Sequence, residues 1–268
     1  MLPNIVLFEG VDATDTASLW ETNGTVGGTF ELTDVPSPPP LITGEANYGF
    51  VPSTLVSLDL TVFNNQVLFA GRFSPTVPLD FGPYTLWTTD GTATGTAPIP
   101  LTSIGASSGG LFSATVTPGF TVFGNEVLFR GIDTGGTAGL WMTNGTASGT
   151  REITGIGGTA SAGVNPSDLT VFNGAVLFNG ADTAGHLGLW TTNGTGAGTN
   201  ELIPPVGAGA ATGGLNPTDM TVFNNEVLFN GADVNGLSGL WATNGTAGGR
   251  TSFLLKHRAP RPDSIPLT

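Results

Sequence analysis

Four aspartates, Asp12, Asp133, Asp182 and Asp233, each follow a Leu-Phe-x-Gly segment by a few positions. A carboxylate beside backbone carbonyls is the raw material of a Ca2+ site, which takes six to eight oxygens. Asp133, Asp182 and Asp233 are therefore the candidate Ca2+ ligands. Each turn brings only one carboxylate, without Asp-x-Asp-x-Asp spacing. An Asx turn, with the side chain bonded to a backbone N–H two residues on, explains the recurrence with fewer demands. A second set, Asp59, Asp168 and Asp219, precedes an apolar strand in three places, with Gly119 in the fourth. Near a common axis these acids would form a ring attracting a cation. Local capping of the backbone is the reading preferred for them.

Catalytic chemistry finds little support. The two histidines, His186 and His257, have no repeated partner, and no His-x-x-x-His pair, Gly-x-Ser-x-Gly elbow or phosphate loop occurs. A glycosidase pair would have to be drawn from dispersed acids such as Glu45, Asp80 or Glu126. No catalytic residue and no cofactor-binding residue is assigned. The expectation is a protein that is not an enzyme.

The elements that position these residues come from a repeat. All five tryptophans, Trp20, Trp87, Trp141, Trp190 and Trp241, follow a leucine and stand three positions before the Asn or Asp of Asn-Gly-Thr or Asp-Gly-Thr. The Phe of Leu-Phe-x-Gly stands at Phe8, Phe69, Phe129, Phe178 and Phe229, which is 12 positions before Trp in four units and 18 in the second. Thr-Val-Phe ends 6 positions earlier still, at Phe63, Phe123, Phe172 and Phe223. Leu169–Phe172 and Ala175–Phe178 flank Asn173-Gly174, the signal of a two-residue hairpin. Gly188–Thr192 and Thr199–Ile203 flank a second turn at Asn193-Gly194. One unit is thus four antiparallel strands of about five residues.

Strands with consecutive apolar residues need cover on both faces. Four-stranded units repeating about every 50 residues are the mark of propeller blades. The expected fold is all-β, a β-propeller of about five four-stranded antiparallel blades, the first incomplete. The units span about 1–35, 58–101, 119–153, 168–203 and 219–255 of a single domain, 1–255, with 256–268 expected to be a disordered tail. The tryptophans are read as structural, packing blade against blade, rather than as sugar-stacking platforms. Met1–Phe8 aligns with Val62–Phe69, so the chain opens at the end of a first strand, which is expected of a fragment of a longer array.

The segment Leu86-Trp-Thr-Thr-Asp-Gly-Thr-Ala-Thr-Gly-Thr96 and its four counterparts resemble the bacterial ELWxxDGT repeats, often termed hyalin-like. Asn165-Pro-Ser-Asp-Leu-Thr and Asn216-Pro-Thr-Asp-Met-Thr resemble that family's lead-in to its first strand. The resemblance implies a secreted or surface-associated bacterial protein with propeller-like units and no established enzyme activity. The chain departs from it at the family's Glu before Leu-Trp, replaced by Ser18, Thr85, Gly139, Gly188 and Gly239. It also has Asn for the turn Asp in four units of five. More weakly, the turn is similar to the Asp-box hairpin of sialidase propellers, a structural motif.

Composition bounds the partners. The chain has 268 residues, 42 Gly, 19 Pro and no Cys, which excludes disulfides and thiol chemistry. A net charge of −13 with seven Lys and Arg argues against nucleic acid or an anionic membrane. No apolar run approaches the ~20 residues of a membrane helix, and no signal peptide is visible in this chain. The expected function is adhesion or ligand binding outside the cell or at its surface, through loops on one propeller face, with an unidentified protein or glycan as ligand. A lectin-like or glycan-processing propeller is the alternative.

Overall fold

The computed structural model describes residues 5–11, 17–32, 49–51, 59–74, 84–101, 105–113, 115–203, 209–246 and 250–253. Asp12, Glu45, Asp80, His257, the proline-rich segment 36–40 and the tail 256–268 lie outside the described residues. The fold is all-β and built of propeller-type blades. Blade one holds β1 (Val6–Val11), β2 (Ala17–Thr22) and β3 (Thr29–Glu31). Blade two holds β4 (Gly49–Val51), β5 (Thr61–Phe63), β6 (Gln66–Ser74), β7 (Thr85–Thr89) and β8 (Ala97–Pro98). Blade three holds β9 (Thr121–Phe123), β10 (Glu126–Ile132), β11 (Ala138–Thr143) and β12 (Arg151–Glu152). Blade four holds β13 (Ser167–Phe172), β14 (Ala175–Ala181), β15 (Leu187–Thr192) and β16 (Asn200–Glu201). Blade five holds β17 (Thr218–Phe223), β18 (Glu226–Ala232), β19 (Ser238–Thr243) and β20 (Arg250–Phe253).

Strands pair with their chain neighbours, all antiparallel, so blades three to five are four-stranded meanders. Blade one is three-stranded among the described residues, and blade two gains β4, which pairs with the far end of β6. The first hairpins turn where the chain can turn. Asn64 and Asn65 have φ of 49° and 62°, Asn173 and Gly174 of 48° and 75°, Asn224 and Asn225 of 46° and 62°. These left-handed pairs match the twist of the flanking strands.

The fourth strand is shorter than its sequence pattern predicts, two residues in blade four against five. Thr199 is held in the turn instead, its hydroxyl 2.7 Å from both the Thr192 hydroxyl and the Thr195 carbonyl. Leu202 still donates to the Leu189 carbonyl at 2.7 Å, so pairing continues as a single bond.

Strand alternation sorts the core. Register sets Phe129 opposite Trp141, Phe178 opposite Trp190 and Phe229 opposite Trp241. Side chains one residue apart face opposite ways, so Phe and Trp line one face of a blade while the neighbouring leucines line the other. The Leu face of each blade packs on the Trp face of the next. Leu68, Leu86 and Ile99 of blade two pack with Val127, Phe129 and Trp141 of blade three. Leu128, Leu140 and Ile153 then pack with Val176, Phe178 and Trp190, and Leu177, Leu189 and Leu202 with Val227, Phe229 and Trp241. Leu19 and Leu32 of blade one meet Phe69 and Trp87 of blade two. Trp87, Trp141, Trp190 and Trp241 are fully buried. Their rings stack on the paired Phe at 6.0–6.5 Å between centroids, each pair contributing about 1 kcal/mol beyond area burial.

Candidate functional site

Three turns of the same kind line up along consecutive blades. In each, an aspartate leaves the second strand, and its Oδ1 accepts two backbone N–H groups. Asp133 accepts from Gly135 at 2.8 Å and Thr137 at 2.7 Å, Asp182 from Ala184 and His186 at 2.8 Å, and Asp233 from Asn235 at 2.8 Å and Leu237 at 2.9 Å. This is the Asx-turn geometry that competed with Ca2+ binding at the sequence level. A Ca2+ ion at these turns would have to draw on the second carboxylate oxygen and on carbonyls. Among the described residues no three metal-ligating side chains converge.

The linker entering each blade lies against its aspartate turn. Ala106 bridges to Asp133, Thr159 to Asp182 and Ala210 to Asp233. Ser107, Ala160 and Ala211 donate to the carbonyls of Ile132, Ala181 and Ala232 at 3.0, 3.3 and 3.1 Å. The turn tips, Thr134–Gly136, Thr183–His186 and Val234–Leu237, are exposed. Blades three, four and five thus each present one short exposed tip on a turn tied down by its own backbone bonds and its linker.

The electrostatics follow from the same bonds. The Leu237 N–H, with the Asn235 backbone and amide, outweighs desolvation and holds the Asp233 carboxyl below its usual range. Desolvation works upward on Asp182, but the N–H groups of His186 and Ala184 and the nearby imidazole, 3.4 Å away, prevail and lower it. Glu152 moves the other way, raised by desolvation and then by the Asp133 charge.

Glu152 and Glu201 were not singled out by the sequence pattern. Glu152 Oε1 fills the space where a Cβ on Gly139 would sit, at 2.1 Å, and Glu201 Oε1 does the same at Gly188, at 2.2 Å. In blade one the Ser18 hydroxyl, at the matching position, bonds Glu31. In these three blades an acid from the adjacent strand thus sits beside the residue that precedes Leu-Trp. The recurrence of Gly-Thr-x-Glu at Glu31, Glu152 and Glu201 is the signal that would have found it.

Of the second set of acids, Asp59 and Asp168 reach across blades, whereas Asp219 accepts locally from the Thr218 hydroxyl at 3.2 Å. Asp59 of blade two accepts from the Phe120 N–H of blade three at 2.9 Å. Desolvation first, aided by the Asp219 charge, leaves the Asp168 carboxyl of blade four raised, although it faces the backbone of Asp219 and Met220 in blade five, whose N–H groups pull it down. Gly119 has no side chain to do this, and the Thr121 hydroxyl reaches the Leu169 carbonyl instead, at 3.4 Å. Local capping, the reading preferred for all three, thus gives way at Asp59 and Asp168 to contact with the next blade, although Asp59, Asp168 and Asp219 share a positive φ of 51°, 57° and 57°. The lead-in asparagines also join neighbours: Arg130 donates to Asn165 at 2.7 Å and Asn179 to Asn216 at 3.0 Å.

The Asn-Gly-Thr turns are held by hydroxyls. Asn193 Oδ1 accepts from the Thr195 N–H at 3.1 Å and hydroxyl at 2.8 Å, and Gly198 donates to the Thr195 hydroxyl at 3.0 Å. A Cβ at Gly198 would lie 1.9 Å from Asn193 Oδ1, so only glycine fits there. Asp90 makes the same two bonds at 3.0 and 2.7 Å. Since one acceptor oxygen suffices, Asn and Asp are equivalent in this role. Glu126 pairs with Arg151 at 3.2 Å on the exposed edge of blade three.

No family model and no curated protein matches the chain. Solved structures with some likeness include one described as TolB from Agrobacterium tumefaciens, with TM-score 0.42, 10% identity, and coverage of 92% of this chain and 79% of that one. An acylaminoacyl peptidase of Pyrococcus horikoshii gives TM-score 0.42 and 10% identity over 93% of this chain, which spans only 43% of that one. An alpha-L-arabinofuranosidase of Clostridium thermocellum gives TM-score 0.31 and 13% identity over 72% of this chain and 70% of that one.

Proposed function

We propose that this chain is a non-enzymatic binding module of an extracellular or cell-surface protein, serving adhesion through the loops of one face. The observation that carries this reading is the row of three aspartate turns at Asp133, Asp182 and Asp233, each fixed by two backbone bonds and a linker, with exposed tips. Binding sites are commonly built of loops on a rigid scaffold. Repetition favours a ligand that is itself repetitive, a glycan or a multivalent protein surface. The net charge of −13 disfavours polyanions.

The test is binding of the folded chain to immobilised glycans and extracellular matrix proteins. Saturable binding lost when Thr134, Ala184 and Val234 are replaced by arginine, with circular dichroism unchanged, is the expected result. Binding indifferent to those tips, or turnover of an arrayed glycan, would contradict it. Binding confined to sugars would favour the lectin-like alternative. This reading needs no Ca2+, and a Ca2+-dependent rise in melting temperature would restore Asp133, Asp182 and Asp233 as ligands.

A further inference from the structure

The interface between neighbouring blades has two halves, and among the described residues one of each is uncovered. The Leu face is open on blade five. Leu240 is 41% exposed, whereas Leu19, Leu86 and Leu140 at the same position are 0% exposed. Phe223 is 57% exposed against 5% for Phe63 and Phe172. The Trp face is open on blade one. Val6 is 62% exposed where Val127, Val176 and Val227 are 0% exposed, and Phe8 and Trp20 are only half-buried.

The second turn repeats this relation. In later blades its glycine rests on the preceding blade: a Cβ on Gly91 would meet Ile5, one on Gly194 would meet Met142 and Phe123, and one on Gly245 would meet Phe172 at 3.3 Å. Gly24 of blade one has nothing within 4 Å. Two residues on, Val26 is 97% exposed, while Ala147 at that position packs on the core between blades two and three.

We propose that the Leu face of blade five binds the Trp face of blade one of a second copy, head to tail. The occupant is identified by the chain's own internal contacts. Four times within one molecule a Leu face receives a Phe–Trp pair and a glycine turn, and the free pair carries the same Leu, Phe, Trp and turn glycine, with Val26 where the other units have alanine or glycine. Phe223 receives the partner's turn glycine as Phe172 receives Gly245. Because the two faces differ, the contact is heterologous and leaves a free face at each end of a dimer, so association continues beyond two copies unless a ring closes.

The experiment is sedimentation velocity of the chain between about 1 and 100 µM, which spans the range of modest protein–protein affinity. Concentration-dependent association beyond the monomer is expected. Leu240→Asp and Val26→Asp each weaken it by about tenfold or more, as expected for charge placed in the centre of an apolar contact. Mixing the two variants restores a dimer and nothing larger, because each retains the face that the other lacks. Circular dichroism confirms that both fold, and Phe223→Asp substitutes for Leu240→Asp should that variant unfold. A chain monomeric throughout, including one whose ends close on each other, overturns the proposal. Association untouched by either variant, or a mixture that stays monomeric, overturns it equally.

Discussion

At the level of single residues, carboxylates and carboxamides hold the chain's turns and blade junctions in place, and their charge is incidental in some places and costly in others. In the Asn-Gly-Thr turn only one acceptor oxygen is used. Asn193→Asp should leave stability within about 0.5 kcal/mol, whereas Asn193→Ala should cost about 1–2 kcal/mol for two lost bonds, both read by urea denaturation. Charge matters with opposite sign at Asp233 and Asp168. The Asp233 carboxyl is lowered, so its ionised form adds stability above the ordinary carboxylate value, lost as pH falls through the lowered one. Asp233→Asn should therefore be less stable than the parent at pH 7, with the gap closing in acid. The Asp168 carboxyl is raised, so its contribution is present below the ordinary value and lost as pH rises through the raised one. Asp168→Asn keeps an acceptor and tolerates the left-handed backbone. Relative to the parent it should gain stability between acid and pH 7. Denaturant titrations at the two pH values check both variants.

The element that organises the molecule is the hairpin of second and third strands, with Phe and Trp on one side and Leu on the other. The sequence made this hairpin legible, because Phe229 and Trp241 recur at fixed spacing and the Asn-Gly pairs mark the turns. The junctions between hairpins were not legible. Asp59 bonds an N–H 61 positions away, and Asn179 meets Asn216 across 37. Local patterns say nothing about such partners, and by local pattern alone these acids are caps. The role of Glu152 is hidden for a similar reason, since the space it fills belongs to Gly139 on another strand. The row of aspartate turns could be read as turns from the sequence, but not its alignment with the linkers, which depends on how whole blades stack. A truncation pair tests the hairpin's two sides. Leu140→Ala, in a sealed interface, should cost about 2–5 kcal/mol, and Leu240→Ala, on the open face, about 1 kcal/mol or less. Chemical denaturation of both variants gives the comparison.

As a whole, the molecule is a succession of sheets in which no blade completes its own core. Blades two to four each supply a Leu face forward and take one from behind, so stability accumulates with neighbours, as in other repeat proteins. Loops and aspartate turns gain their rigidity from this stacking, and the proposed binding face depends on it. The most direct measurement uses the chain labelled with 5-fluorotryptophan, with fluorine NMR recorded in H2O and D2O. Four resonances, those of Trp87, Trp141, Trp190 and Trp241, should show no solvent isotope shift; the fifth, that of Trp20 on the open face, is set apart through Trp20→Phe. An isotope shift at any of the four interior rings would contradict blade-on-blade packing.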